Sequence, residues 1–167
     1  MASLLIKNIG ILQTPVGSYS HRGKEQGENL KLKNAAILIR DGIIAEITAD
    51  GALPEDASEA DEIIDAEGNC VLPGFIDSHT HFIFLGFWED EFYKRFKGIS
   101  YMEIMKQGGG IANTVSKTRS AEKDTLIKLG KDRLEQMLSM GITTVEGKSG
   151  YGLDLDTELL QLEVMDE

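Results

Sequence analysis

Apolar residues come in short runs through the first seventy positions and at helical spacing only later. Leu4-Leu5-Ile6-Lys7-Asn8-Ile9, closed by Gly10, is β-prone and predicts a first strand. Residues 13–31 are polar, carry Gly17, Gly23 and Gly27, and read as a long flexible loop with His21 exposed in it. Two apolar runs follow, at 34–40 and 43–47. The Asp41-Gly42 pair between them favours a type I′ turn, so the two runs are read as a hairpin. A further short strand is expected at 61–66. Glu67-Gly68-Asn69 then turns the chain into Cys70-Val71-Leu72. Many short strands with turn punctuation predict a small β-sandwich.

Past residue 81 the period changes. Phe82-Ile83-Phe84-Leu85-Gly86-Phe87-Trp88 is an apolar, aromatic loop, expected to pack as a hydrophobic lid. Ser100, with Glu103 three residues on, has the pattern of a capping box. Gly108-Gly109-Gly110 lacks a following Gly-Lys-Ser/Thr, so a helix break or a close backbone approach fits better than a P-loop. Residues 121–140 predict an amphipathic helix. Leu126, Ile127, Leu134, Met137 and Leu138 form its stripe, Ser120 is the expected cap, and Glu122 and Asp124 favour its positive end. Gly141 stops it, and the β-branched run at 142–146 is a strand. A helix between two apolar strands is a βαβ unit, which makes the sheet parallel. Residues 156–167 read as a helix that is cut, not finished.

Composition narrows the partners. The chain has 167 residues, 41% of them hydrophobic, and a formal net charge of −11. An acidic surface repels phosphate backbones and anionic lipid, so neither nucleic acid nor a membrane surface is expected as a partner. The single cysteine, Cys70, cannot form an internal disulfide and is expected in the core, which points to a reducing compartment. No run approaches the ~18 apolar residues of a membrane span, and there is no basic leader with a cleavage pattern. The expected location is the cytoplasm.

The candidate chemistry lies in Val71-Leu72-Pro73-Gly74-Phe75-Ile76-Asp77-Ser78-His79-Thr80-His81. It reads as a short buried strand ending in two histidines. Residues i and i+2 of a strand project to one face, so His79 and His81 can reach one point together. A bare His-x-His is more often two solvated loop residues, or one core and one surface histidine. Here an apolar run leads into it, Pro73-Gly74 gives a tight entry, and Asp77 can orient an imidazole from the same face. Imidazole is the commonest ligand for a catalytic transition metal, so the pair is read as half of a metal site. In the loop after the strand at 142–146, Tyr151 stands between Gly150 and Gly152, which leaves its phenol free for a ligand. Lys148 there is expected to bond carbonyls or a carboxylate.

The segment Pro73-Gly74-Phe75-Ile76-Asp77-Ser78-His79-Thr80-His81 resembles the one that opens the barrel of the amidohydrolase superfamily, metal-dependent hydrolases on a (β/α)8 barrel. The runs Gly-Ile-Ser-Tyr-Met-Glu-Ile-Met at 98–105, Gly-Gly-Gly-Ile at 108–111, Thr-Val-Ser-Lys-Thr-Arg at 114–119 and Gly-Ile-Thr-Thr-Val-Glu-Gly-Lys-Ser-Gly-Tyr-Gly-Leu-Asp at 141–154 resemble its imidazolonepropionase family. The likeness is close from Val71 to Met165 and loose before it. It implies an α/β fold: the N-terminal part of a small β-sandwich over 1–70, then the first βα units of a (β/α)8 TIM barrel over 71–167. The barrel is incomplete, because such barrels take ~250 residues. The chain is therefore expected to be the N-terminal portion of a longer enzyme.

The implied reaction is hydrolysis of the cyclic amide C–N bond of 4-imidazolone-5-propanoate to N-formimino-L-glutamate, in histidine degradation. It implies one Zn or Fe ion with His79 and His81 as ligands, Tyr151 as a substrate contact, and a small-molecule substrate. A homodimer of the complete enzyme is left open. Trp88 stands where the family carries a substrate-binding arginine, and tryptophan cannot pair bidentately with a carboxylate. Arg95 and Arg119 are the candidate substitutes. The third histidine ligand, the aspartate ligand and the acid/base residues of the family have no counterpart here, since the chain holds only His21, His79 and His81. The isolated chain is expected to be inactive. Two alternatives stand beside this reading: another cyclic amidase or deaminase of the superfamily, and a non-catalytic fragment whose aromatic loop is a contact surface.

Overall fold

The structure, a computed structural model, describes every residue except Met1 and Trp88. The chain divides into two compact units, Met1–Pro73 and Gly74–Glu167.

The first unit is one five-stranded mixed sheet. β1 (Ser3–Pro15) pairs antiparallel with β2 (Asn29–Arg40), and β2 pairs with β3 (Ile43–Thr48). β4 (Glu62–Asp65) and the two-residue β5 (Cys70–Val71) both run parallel to β1. β2 is buried on both faces over residues 35–38. Ala35 and Ile37 join Ile9 and Leu12 on one side, while Ala36 meets Leu5 and Ala57 on the other. That is why its sequence is a continuous apolar run and not an alternating one. Asp41 and Gly42 have φ of 51° and 79°, the left-handed pair that a type I′ turn requires.

Several expectations fail here for identifiable reasons. β1 and β2 extend well into the region read as loop, with Gln13 opposite Lys31 and Pro15 opposite Asn29. Ladder bonds are made by the backbone, so polar side chains pointing to water do not end them. Cys70 is exposed, not in the core. Its strand is two residues long and, among the described residues, pairs only with β1. The supposed single strand from Val71 to His81 is two strands in different units, broken at Pro73-Gly74, where proline has no N–H for a ladder.

The second unit opens with β6 (Phe75–Thr80), which pairs in parallel with β7 (Ile142–Gly147). Among the described residues four helices lie between them: α1 (Glu89–Phe96), α2 (Tyr101–Lys106), α3 (Ile111–Arg119) and α4 (Lys123–Ser139). A fifth, α5 (Leu155–Asp166), follows β7. β6 is not buried: Ile76 is 71% exposed, because among the described residues only β7 flanks it. Ser100 does cap α2, its Oγ accepting the Glu103 N–H at 3.2 Å. Ser120 does not cap α4. It closes α3, and Glu122 precedes α4 without a side-chain cap bond.

Phe82, Ile83, Leu126 and Val164 form the core, with Ile127 and Leu134 packed against it. Leu138, expected in the stripe, is 61% exposed. Gly130 is a mid-helix glycine, which costs about 1 kcal/mol against alanine. Its reason is contact: a Cβ there would lie 2.5 Å from Ile83 Cδ1. Full burial of Ile83, worth about 1.5–3 kcal/mol, outweighs that cost. Among the described residues no helix is long and apolar enough to cross a membrane.

Candidate active site

The candidate site forms where β6 and β7 end. The Lys148 N–H donates to the Thr80 carbonyl at 2.8 Å and ties the two strand ends together. His79 lies near the end of β6 and His81 just beyond it. Their ring centres are 5.6 Å apart and the rings are inclined at 73°. Asp77 does not orient an imidazole. Its Oδ1 accepts the His79 backbone N–H at 3.1 Å, so it fixes the main chain under the ring. Tyr151 is edge-on to His81, with ring centres 5.4 Å apart, and 5.0 Å from Phe84. A pocket of about 200 Å³ opens beside it, lined by Phe84, Gly86, Phe87, Thr114 and Tyr151. A larger groove, of about 720 Å³, runs along α2 and α3 and includes neither histidine.

Gly150 makes room for this arrangement. Its φ of 144° lies in the region that glycine favours. A Cβ there would stand 2.9 Å from His81 Cε1 and 3.2 Å from Nδ1. The loop is held by side chains the sequence did not single out. Gln161 of α5 is fully buried. Its Oε1 accepts from the Gly150 N–H at 3.3 Å, and its Nε2 donates to the Ile83 carbonyl at 2.5 Å. One amide thereby joins the loops that follow the two strands. Glu158 Oε1 accepts from the N–H groups of Gly152 at 2.8 Å and Leu153 at 2.7 Å. Burial works against its charge, but the bonds from Ser149, Leu153 and Gly152 outweigh it and hold the carboxyl below its ordinary range.

On the other side Arg133 of α4 donates from Nη1 to the carbonyls of Phe82 at 2.7 Å and Phe84 at 2.9 Å. Burial pushes its guanidinium pKa down. A polar or charged residue inside a helix usually faces solvent, so neither Gln161 nor Arg133 carries a signal in one sequence.

The other expected residues are placed as follows. Lys148 Nζ lies 3.5 Å from Glu146. Arg119 donates to the Gly152 carbonyl at 2.6 Å and pairs with Asp154 at 2.7 Å, so its charge is already matched. Arg95 lies over the Tyr101 ring, 5.4 Å from its centre. The substrate contact expected at Trp88 lies outside the described residues. The aromatic loop is only partly a cover: Phe82 and Ile83 are core, while Phe87 is 58% exposed.

The pair fits a metal in two respects. Tetrahedral zinc with bonds of about 2.0–2.1 Å to two imidazoles puts the ring centres on the order of 5 Å apart, close to the spacing found. His81 Nδ1 is buried with no partner among the described residues, an open requirement for a ring that has yet to be fixed. Among the described residues no group of three His, Cys, Asp or Glu side chains converges on one point, so no third side chain of these types joins His79 and His81.

The comparisons with known proteins agree in direction. The amidohydrolase family profile matches residues 62–98. An imidazolonepropionase of Parabacteroides distasonis is 46% identical over 99% of this chain and 40% of its own length. One of Clostridium tetani is 48% identical over 98% of this chain and 39% of its own. Among solved structures, E. coli guanine deaminase superposes with a TM-score of 0.60 at 12% identity, covering 99% of this chain and 34% of that one. A triazine hydrolase from Arthrobacter aurescens gives 0.54 at 19% identity, covering 99% and 33%. These two speak for the fold alone. The chain spans about 40% of the length of the curated relatives it matches. Along nearly all of its residues the chain is similar to the N-terminal portion of imidazolonepropionases, and residues 62–98 match the amidohydrolase family.

Proposed function

We propose that this chain is the ligand-bearing start of a hydrolase that opens the cyclic amide C–N bond of 4-imidazolone-5-propanoate, giving N-formimino-L-glutamate in histidine degradation. The observation that carries the reading is the His79–His81 pair at a strand end, with the Tyr151 ring against it, on a chain 46–48% identical to imidazolonepropionases. His79 and His81 would hold a Zn or Fe ion, which would supply the Lewis acidity to lower the pKa of water and polarise a carbonyl. The chain's own residues prepare for that chemistry. Asp77 fixes the main chain under His79, and Gly150 leaves room for the His81 ring beside it. Tyr151 offers a phenol to the polar edge of a small ring, and Phe84 walls that edge from water. We infer a small-molecule substrate and a cytoplasmic location, with residues 1–70 as part of a β-sandwich domain and 71–167 as the opening of the barrel.

The test is turnover by the full-length protein, metal-replete, with product identified by mass spectrometry. Conversion of imidazolonepropionate to formiminoglutamate is expected, and none from the isolated 167-residue chain. A metal-loaded full-length enzyme that leaves this substrate intact would refute the reading. Trp88 in the family's arginine position favours a second reading, another cyclic amidase or deaminase. Trp88→Arg in the full-length enzyme is expected to lower KM for imidazolonepropionate. Faster turnover of an uncharged cyclic amide or an aminated ring by the parent selects the second reading.

A further inference from the structure

A guanidinium and four rings form a continuous series from α4 to the histidine pair. The Cζ of Arg133 lies 3.9 Å from the centre of the Phe84 ring and 5.3 Å from that of Phe87. Phe84 is 5.0 Å from Tyr151, Tyr151 is 5.4 Å from His81, and His81 is 5.6 Å from His79, centre to centre. Arg133 also bonds the backbone on either side of Ile83, through the carbonyls of Phe82 and Phe84. One planar group therefore holds the main chain of the loop and lies against the Phe84 ring. Lysine can reproduce the charge and one carbonyl bond, but it has no flat face to lay on a ring.

The cost of this placement shows that packing alone does not account for it. Arg133 Nη2 is buried and has no partner among the described residues. A half-buried charge with an unmet donor is an expensive way to fill space, and an apolar side chain of similar volume would fill it at lower cost. What an apolar side chain cannot do is bridge the two carbonyls while pressing on Phe84.

We propose that Arg133 is a positioning residue for the substrate contact: its guanidinium sets the Phe84 ring, which sets the Tyr151 ring against His81 and so fixes where the phenol meets substrate. This rests on Tyr151 being that contact. Loss of Arg133 frees the Phe84 ring and then the Tyr151 ring, while the bond from the His79 N–H to Asp77 and the room that Gly150 leaves for His81 stay as they are. Substrate binding suffers, and metal binding does not.

The experiment uses the full-length protein with 3-fluorotyrosine at position 151, read by fluorine NMR, alongside steady-state kinetics of the unlabelled enzyme. Arg133→Met and Phe84→Leu are each expected to move the fluorine resonance towards its solvent-exposed position. KM should rise at least tenfold, with kcat changed less than threefold and metal content intact. Arg133→Lys is expected to restore less than half of the resonance shift. An unchanged resonance and KM in a folded Arg133→Met protein overturn the proposal. If that variant does not fold, Phe84→Leu decides alone by the same two readings. If the parent enzyme does not hydrolyse imidazolonepropionate, the functional reading fails, while the fluorine resonance still reports whether Arg133 sets the Tyr151 ring.

Discussion

The two units satisfy their backbones in different ways. In the first, long strands exchange ladder bonds, and side chains add to them mainly at exposed edges, as where Asn8 donates to Asp65 at 2.7 Å. In the second, a two-stranded sheet ends in loops that cannot pair with a neighbouring strand. Their carbonyls and N–H groups are met by Arg133, Gln161 and Glu158. A ladder is indifferent to which side chains it carries, and it presents no convergent groups. A loop supported by specific side chains can hold two imidazoles and a phenol together. The difference predicts that damage to the first unit is read as lost stability, and damage to the second as lost chemistry.

The sharpest break in that comparison is removal of a histidine proposed as a metal ligand. His81→Ala in the full-length enzyme is expected to cut hydrolysis by at least about a thousandfold, roughly the 4 kcal/mol that a lost Lewis acid withdraws. Metal content measured by inductively coupled plasma should fall with it, while the unfolding of the β-sheet unit stays unchanged. Full activity with bound metal in this variant would remove His81 from the site.

The converse variant is Ile9→Ala, at a fully buried position of β1. A truncation of this kind costs about 2–5 kcal/mol, set by how far the surrounding Leu12, Ala35 and Ile37 collapse into the space. Denaturant unfolding should show that loss, with metal affinity altered less than twofold in the protein that remains folded. A proportionate loss of metal affinity would mean that the two units are energetically coupled, contrary to the contrast drawn above.

Gly150→Ala gives a smaller effect and probes the support of the site. The new methyl would press on the His81 ring and hold a backbone angle that alanine resists. Metal affinity is expected to fall about 10–100-fold, as when the groups that orient a ligand are disturbed. Competition with a chromophoric chelator measures it. Undiminished affinity would show that the His81 ring has another place to go.

The parts of this molecule that were legible in the sequence are those where local chemistry decides. Asp41-Gly42 turns because few other pairs accept two positive φ values, and Gly141 ends α4 because its own φ is 86°. The spacing of His79 and His81 sufficed to bring them together. Long-range placement was hidden. Nothing in Gln13 or Lys31 says that they face each other across a ladder, because the bonds belong to the backbone. Cys70 looked like core because its neighbours are apolar, yet its exposure depends on what lies beside a two-residue strand. Ser120 suits either end of a helix, and the boundary between α3 and α4 decided which. Gln161 and Arg133 were invisible for the same reason: their partners are main-chain atoms 78 and about 50 positions away.

The mildest test sets one exposed carboxylate of each unit against the other. In the first, the hydroxyl and then the backbone N–H of Ser3 bond Asp61 and lower its pKa. In the second, the backbone N–H and then the hydroxyl of Thr157 do the same for Asp154, with Arg119 adding its charge. Both folded values lie below the ordinary 3.8, so each ionised group stabilises its unit above that pH. The contribution is lost as the pH falls through the folded value, where the carboxylate takes up a proton in either state. Asn is a fair mimic of the protonated acid. The stability gap between the wild-type protein and Asp61→Asn, or Asp154→Asn, should therefore be full well above 3.8 and close only as the pH falls through each lowered folded value. Unit-resolved amide exchange across this range follows each gap separately. Asp61→Asn should loosen only the start of β1, and Asp154→Asn only the first turn of α5 and the loop carrying Tyr151. A gap that stays constant down to pH 2 would mean that neither carboxylate owes its effect to charge. A response of the Tyr151 loop to Asp154→Asn but not to Asp61→Asn would show that the site draws its order from its own unit.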